Sequence, residues 1–456
     1  RELRPFLEET FSDAGLQRAT LFNRPAAQQL WRGFLAGHDT REWSRVWSLA
    51  VLIAFVNRRS AGVERSGRAS EGIHISTTPG PAVSPSSPPS PSTLAPARSS
   101  TRTLLLAPEI FSSEGGIPRI LQSYLRALCE LTGEGGGVRL LALNDRVMSA
   151  TDLRRVANDR LEEWSACDRN KAHCVRETLR MIRGCDHLVC GHVFLLPVAW
   201  LARRLNPRLR YHLVAHGIEV WRPFSLAERI ALRGAASVLC VSDYTRQELL
   251  KNCPLPEGRA VVLHNALDSA FRIVPGHPLA ECAPIILVVT RLTYADRYKG
   301  VQHMIEALPA IRAEIPTARL RIVGHGDDRE RLQALASSLG VRDAVEFTGF
   351  VSDQRLAEEM SRCRLFALPS RKEGFGLVFL EAMAHGRPCI GGRAGGIPEV
   401  ITGESGILVD YGDVPQLAQA CIGALQRDWD QGKILERARH FSYENFRRQL
   451  AGHLFP

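Results

Sequence analysis

The chain has 456 residues, 45% hydrophobic and 23% charged, a balance that fits two or three globular domains and excludes fibrous and wholly disordered proteins. Its net charge of +10 calls for an acidic partner: nucleic acid, anionic lipid or a phosphorylated substrate. Nucleic acid is the weaker choice, because no helix-turn-helix, zinc finger or RNA-stacking motif accompanies the charge.

Residues 1–65 read as a small helical segment rich in Trp and Arg. Its longest apolar run, Leu49 to Val56, is too short to span a bilayer, and no signal peptide is visible. The lines Leu3-Arg4-Pro5-Phe6-Leu7-Glu8-Glu9, Leu21-Phe22-Asn23-Arg24-Pro25-Ala26 and Trp43-Ser44-Arg45-Val46-Trp47-Ser48-Leu49 resemble the C-terminal tail of glutamine-dependent asparagine synthetases. That match covers only a tail, so no amidotransferase activity carries over. Residues 66–101 are rich in Pro and Ser, without periodicity, and read as a disordered linker.

From Thr101 onward apolar strands alternate with amphipathic helical stretches, the pattern of parallel α/β sheets. One set of strands comprises Leu104–Ala107, Val138–Leu143, Leu188–Cys190, Val214–His216 and Val238–Val241. A second comprises Ile285–Val289, Leu320–Val323, Val345–Phe347 and Leu365–Leu368. Two Rossmann-like domains, 102–275 and 276–440, follow from this, with a terminal helix over 441–456 that returns to the first. Eleven cysteines, an odd number without Cys-x-x-Cys or zinc spacing, read as reduced thiols of a cytosolic protein.

Residues able to do chemistry fall where strands end, as expected for ligands of open α/β sheets. Gly115 and Gly116 free the backbone ahead of a helix whose exposed amides favour a phosphate or oxyanion. His216 and Gly217 sit just past a strand, with Glu219 two residues on as a candidate acceptor contact. Ser242 reads as a helix cap, and His264-Asn265-Ala266-Leu267-Asp268 as a hinge. Arg291 and Lys299, a fixed planar cation and a mobile ammonium beside Gly300, suit a diphosphate. Gly324 and Gly326 can shape a turn against a nucleotide or simply close a strand-helix corner. Gly395-Gly396-Ile397-Pro398-Glu399 reads as an architectural turn.

The most informative stretch is Pro369-Ser370-Arg371-Lys372-Glu373-Gly374-Phe375-Gly376-Leu377-Val378-Phe379-Leu380-Glu381-Ala382-Met383-Ala384. It places Glu373 in a glycine-rich loop with Gly374 and Gly376, and Glu381 in the helix beyond, about 7 Å along the axis from Gly376. Two carboxylates so spaced can hold separate hydroxyl-bearing parts of one long ligand. The alternative is that Glu373 only caps the helix.

This segment resembles the EX7E element of retaining glycosyltransferase family 4, whose members have the GT-B architecture of two Rossmann-like domains facing across a cleft. The likeness extends over roughly residues 102–450 and includes Arg291…Lys299-Gly300. The resemblance implies a retaining hexosyltransferase with a nucleotide-sugar donor of the GDP-mannose or UDP-glucose type and a glycan or lipid-linked acceptor. Bacterial exopolysaccharide, capsule or lipopolysaccharide synthesis is the expected setting. It implies that Glu373 faces the donor sugar, Glu381 the nucleotide ribose, and Arg291 and Lys299 the diphosphate. His216 lies near the transferred sugar, while Gly115, Gly116, Gly324, Phe350, Gly374, Phe375 and Gly376 border the donor. No cofactor and no metal are expected, since the two cations stand where a divalent ion works elsewhere. A cytoplasmic enzyme, peripheral on an anionic membrane through Arg203–Arg210, completes the expectation; the rival is a non-catalytic nucleotide-sugar or glycan-binding protein.

Overall fold

The computed structural model describes residues 100–113 and 115–455, a helix at Arg24–Leu35, and positions 8, 11, 12 and 16. The chain divides into two units, Arg1–Arg98 and Ser99–Pro456. In the first, Trp31 of the helix stacks on Phe11 with ring centroids 5.3 Å apart. The rest of the expected segment 1–65, and the expected linker as far as residue 99, lie outside the described residues.

The second unit holds two all-parallel sheets. The first is built from β1 (Arg102–Ala107), β2 (Gly137–Ala142), β3 (Leu161–Ala166), β4 (His187–Cys190), β5 (Arg210–Ala215), β6 (Ser237–Cys240) and β7 (Ala260–Val262). The second is built from β8 (Ile285–Val289), β9 (Arg319–Val323), β10 (Val345–Gly349), β11 (Leu365–Leu368), β12 (Cys389–Gly392) and β13 (Gly406–Val409). Central strands are apolar on both faces because helices cover both sides. Leu104, Leu105 and Leu106 are fully buried, and each such side chain stabilises the fold by about 1.5–3 kcal/mol.

Strand order decides where a ligand can sit. The sheets run β3-β2-β1-β4-β5-β6-β7 and β10-β9-β8-β11-β12-β13, so the order reverses between β1 and β4 and again between β8 and β11. Loops leaving such neighbours diverge to opposite faces and open a crevice at the carboxyl edge. After β1 come Gly115, Gly116 and α1 (Gly116–Leu131); after β8 come Arg291 and Lys299; after β11 come Glu373 and Gly374.

Six further helices matter below: α2 (Leu196–Leu205), α3 (Leu226–Gly234), α4 (Asp243–Asn252), α5 (Leu377–Met383), α6 (Ile397–Val400) and α7 (Tyr443–Leu454). Ser442 caps α7, accepting from the Asn445 amide, and the chain changes lobes there. Phe441 belongs to the core of the second lobe, whereas Tyr443, Phe446 and Leu450 belong to that of the first. Phe446 meets Tyr124 edge-on at 5.0 Å, and Arg447 pairs with Glu130 at 2.7 Å. Within the second lobe, Arg387 ties the segment that leads into the lobe to the chain ahead of β11 and β12. This fully buried guanidinium donates to the carbonyls of His277, Cys363 and His385, which satisfies it without a carboxylate.

Candidate active site

The loop after β11 and the turn after β8 meet through an ion pair. Lys299 closes a 3₁₀ turn over Tyr294–Lys299, and its ammonium contacts Glu373 Oε2; the two side chains are only 17% and 18% exposed. Glu373 therefore does not cap the helix. Gly376 occupies the N-cap of α5 at φ 96°, with no side-chain cap, a left-handed conformation that glycine adopts without strain. Arg291 is 69% exposed and is held by Asp296 at 3.2 Å rather than by Glu373.

Glu381 projects from α5 into a mostly buried position, 13% exposed, and Arg119 Nη1 donates to its Oε1 at 3.0 Å. Burial pushes this carboxyl above its usual range; Arg119 pulls it back and Asp353 pushes it up further. Arg119 stands in the first turn of α1, just beyond Gly115 and Gly116, and also reaches Asp353 at 3.1 Å. One side chain of the first lobe thus binds two carboxylates of the second.

His216 follows β5 and faces the same crevice edge. Its Nε2–H donates to the Gly191 carbonyl at 2.8 Å, because a carbonyl can only accept. Burial lowers its pKa, so the ring is neutral and Nδ1 carries a lone pair. That Nδ1 is buried and has no protein partner, which leaves it as an acceptor for a ligand hydroxyl. Glu219 Oε1 takes the amides of His216 and Gly217, at 2.5 and 3.2 Å, and stiffens the turn.

The two lobes touch at this turn. A Cβ on Gly374 would lie 2.1 Å from the His216 carbonyl oxygen, so only glycine permits the approach. Ser242 caps α4 as expected, and its hydroxyl also donates to the Gly374 carbonyl at 2.9 Å. Glu399 of α6 accepts the amides of Asp243 and Tyr244, at 2.7 and 2.9 Å, from the start of α4. His264 Nε2 lies 3.2 Å from the same carboxylate, and its ring stacks on Phe375 at 5.5 Å. Burial works to raise the Glu399 carboxyl, but these hydrogen bonds outweigh it and hold the group below its usual range.

The crevice edge after β9 is more open. Gly324 follows β9 and its amide donates to the Gly349 carbonyl at 2.9 Å; a Cβ there would sit 1.8 Å from the Thr290 oxygen. Phe350 is 62% exposed beside His325. The structure thus brings Lys299 to Glu373 and His216 to Gly374, and sets Gly115 and Gly116 ahead of the arginine that reaches Glu381. Arg291, Gly324 and Phe350 line the rim. Sequence reasoning missed Arg119, Asp353 and the clamp at Glu399. Arg119 offered one signal, a cation one turn beyond a glycine pair.

Among the described residues no cluster of three or more His, Cys, Asp or Glu side chains has metal-binding geometry. No helix among them is long and apolar enough to cross a membrane. All eleven cysteines are unpaired and buried.

Known proteins share this fold and match much of the sequence. A model of "Glycosyltransferase Family 4" matches residues 116–271, and one of "Glycosyl transferases group 1" matches 283–427. The GDP-mannose-dependent alpha-(1-6)-phosphatidylinositol monomannoside mannosyltransferase of Mycolicibacterium smegmatis is 34% identical over 275 residues, 55% of this chain and 70% of that one. The N-acetyl-alpha-D-glucosaminyl L-malate synthase of Bacillus anthracis is 40% identical over 163 residues, 36% and 42% of the two chains. Among solved structures, Anabaena HepE in complex with UDP and glucose superposes with a TM-score of 0.61 at 20% identity, covering 78% of this chain and 99% of that one. The lipopolysaccharide outer core galactosyltransferase WaaB also superposes at 0.61, with 17% identity and the same coverage. With its two facing parallel sheets and these relatives, the chain belongs to the family 4 glycosyltransferases, and it is a hexosyltransferase of GT-B fold.

Proposed function

We propose that the enzyme transfers a hexose with retention of anomeric configuration from a GDP-mannose or UDP-glucose type of donor to a glycan or lipid-linked acceptor. The observation that carries this is the buried Lys299–Glu373 pair, set against the turn that holds His216. Lys299 and Arg291 stabilise the leaving diphosphate, where negative charge grows in the transition state. Arg291 reaches it by exchanging Asp296 for a phosphate oxygen. Glu373 orients the sugar, and His216 Nδ1 accepts from one of its hydroxyls. Glu381 Oε2 remains for the ribose while Oε1 stays with Arg119. Gly324 and Phe350 border the base.

The bond from the anomeric carbon to the diphosphate oxygen breaks as the bond to the acceptor oxygen forms on the same face. The acceptor's proton passes to the departing phosphate. Fixed cations supply the charge that a divalent ion supplies elsewhere. A lipid-linked acceptor is supported by the relative that acts on a phosphatidylinositol monomannoside, and assembly of bacterial surface polysaccharide is the setting we assign.

A screen of nucleotide sugars against the purified chain, scoring nucleoside diphosphate release with and without chelator, tests the reading. Release from one donor, insensitive to chelator, is expected. Donor binding without release or transfer to any acceptor would favour a binding protein, and activity abolished by chelator and restored by manganese would overturn the metal-independent assignment.

A further inference from the structure

A second concave feature lies at the opposite edge of the first sheet. In a parallel sheet every strand starts at one edge, and the loops of the donor cleft leave from the other. A six-residue strand such as β5 separates the two by about 20 Å. At the starting edge Arg210 opens β5, Arg259 immediately precedes β7, and Arg203 stands in the last turn of α2. With Tyr211, Gly234 and Ala236 they line a cavity of about 320 Å³.

Three guanidinium groups around one cavity repel one another unless an anion joins them. Among the described residues none of the three is in an ion pair with a carboxylate. Asp186 is the acidic group beside Arg210: its carbonyl accepts the Arg210 amide, while its carboxylate is taken by the Arg102 amide at 2.9 Å. Arg203 alone could be explained as a cation at a helix C-terminus. Arg210 and Arg259 flank strand starts, where no helix dipole calls for them. The floor is built: Tyr211 Oη donates to the Ala231 carbonyl at 2.6 Å, and a Cβ on Gly234 would lie 2.4 Å from the Tyr211 hydroxyl oxygen. Arg259 uses one N–H on the Ala235 carbonyl and keeps the others for the cavity.

We propose that this pocket binds a phosphate or diphosphate group, at a site separate from the nucleotide-sugar cleft. Guanidinium forks match pairs of phosphate oxygens, and three of them can enclose such a group. The group can belong to a lipid headgroup or to a soluble molecule; the exposed Leu205 beside Arg203 and Arg204 suits a surface that touches lipid.

The test compares the full chain with Arg210→Ala/Arg259→Ala and with Arg203→Glu. Each is sedimented with phosphatidylglycerol–phosphatidylcholine vesicles and titrated calorimetrically with inorganic pyrophosphate, in the presence of excess nucleoside diphosphate. Both variants are expected to bind at least about tenfold more weakly than the parent, while nucleoside diphosphate binding stays unchanged. Loss confined to vesicles identifies a headgroup, loss confined to pyrophosphate identifies a soluble source, and loss of both supports a phosphate site that either source can fill. The Arg203 side chain makes no hydrogen bond among the described residues, so its variant keeps the test readable if the double variant unfolds. Equal binding by parent and variants, or none by the parent, overturns the proposal. Neither outcome depends on the donor assignment.

Discussion

Replacing Glu373 by Gln keeps the loop's size and removes its charge. In the structure the carboxylate contacts the Lys299 ammonium, and both side chains are less than a fifth exposed. A hydrogen bond to a charged group contributes about 1.5–3 kcal/mol, so loss of the sugar contact should lower kcat/KM by roughly ten- to a hundredfold. Lys299 loses its protein anion in the same step and becomes more available to phosphate. Nucleoside diphosphate binding should therefore stay within about threefold of the parent, or tighten, since a tenfold change would need about 1.4 kcal/mol. Folding stability should fall by about 1–2 kcal/mol, between the values for exposed and fully buried pairs. Calorimetry with the diphosphate, steady-state transfer rates and a urea melt separate the three effects. Glu381→Gln is the comparison, and it should weaken diphosphate and donor binding together. If Glu373→Gln transfers sugar at the parental rate, the pair only holds the loop and the assignment fails. If diphosphate binding falls in step with the rate, Glu373 acts by placing Lys299.

Gly374→Ala should drive a methyl into the His216 carbonyl, a backbone atom that cannot turn aside, and cost about 1–3 kcal/mol or part the lobes; unchanged solution scattering and unchanged rates would refute the contact. Glu399→Gln should destabilise the fold by about 1.5–3 kcal/mol at pH 7. Because the native carboxyl titrates below its ordinary 4.5, its contribution is present above that pH and is lost as pH falls further, so urea midpoints of parent and variant should converge below about pH 4.5. His216 is held neutral below its ordinary 6.5, so its charging should not limit the rate near that pH; His216→Gln should lower turnover without removing an acid limb there. A limb at pH 6.5 that vanishes in this variant would show that the imidazole titrates in the cycle.

Much of the architecture was legible because central strands of parallel sheets are apolar on both faces, and here a proline bounds the clearest runs at one end. Leu104–Ala107, Ile285–Val289 and Leu365–Leu368 are runs of this kind, and all form strands. Four strands escaped notice: Gly406–Val409 is a short apolar run at the sheet's edge that went unread, and the other three lack the signal. Leu161–Ala166 is an edge strand with charged and exposed positions, Cys389–Gly392 is half glycine, and Ala260–Val262 has only three residues. Glu373 and Lys299 stood out as charges beside glycine in loops that follow strands, and Glu381 by its spacing from Glu373 in the helix beyond. The chain's own order also marked His216, but not the state of its ring.

Closure of the lobes decided the rest. Arg119 meets Glu381 and Asp353 across 262 and 234 residues of sequence, and Glu399 meets Asp243 across 156. Local pattern does not encode such pairings, because a charged side chain looks the same whether it faces water or a partner lobe. His264 likewise reads as a plain hinge residue until Phe375 and Glu399 close on it. Glu219 shows the same limit at short range: turn geometry alone aims its carboxylate at the His216 and Gly217 amides. Residue types and spacing fixed which groups could act, while hydrogen-bond direction, burial and charge pairing arose only when the two sheets faced each other.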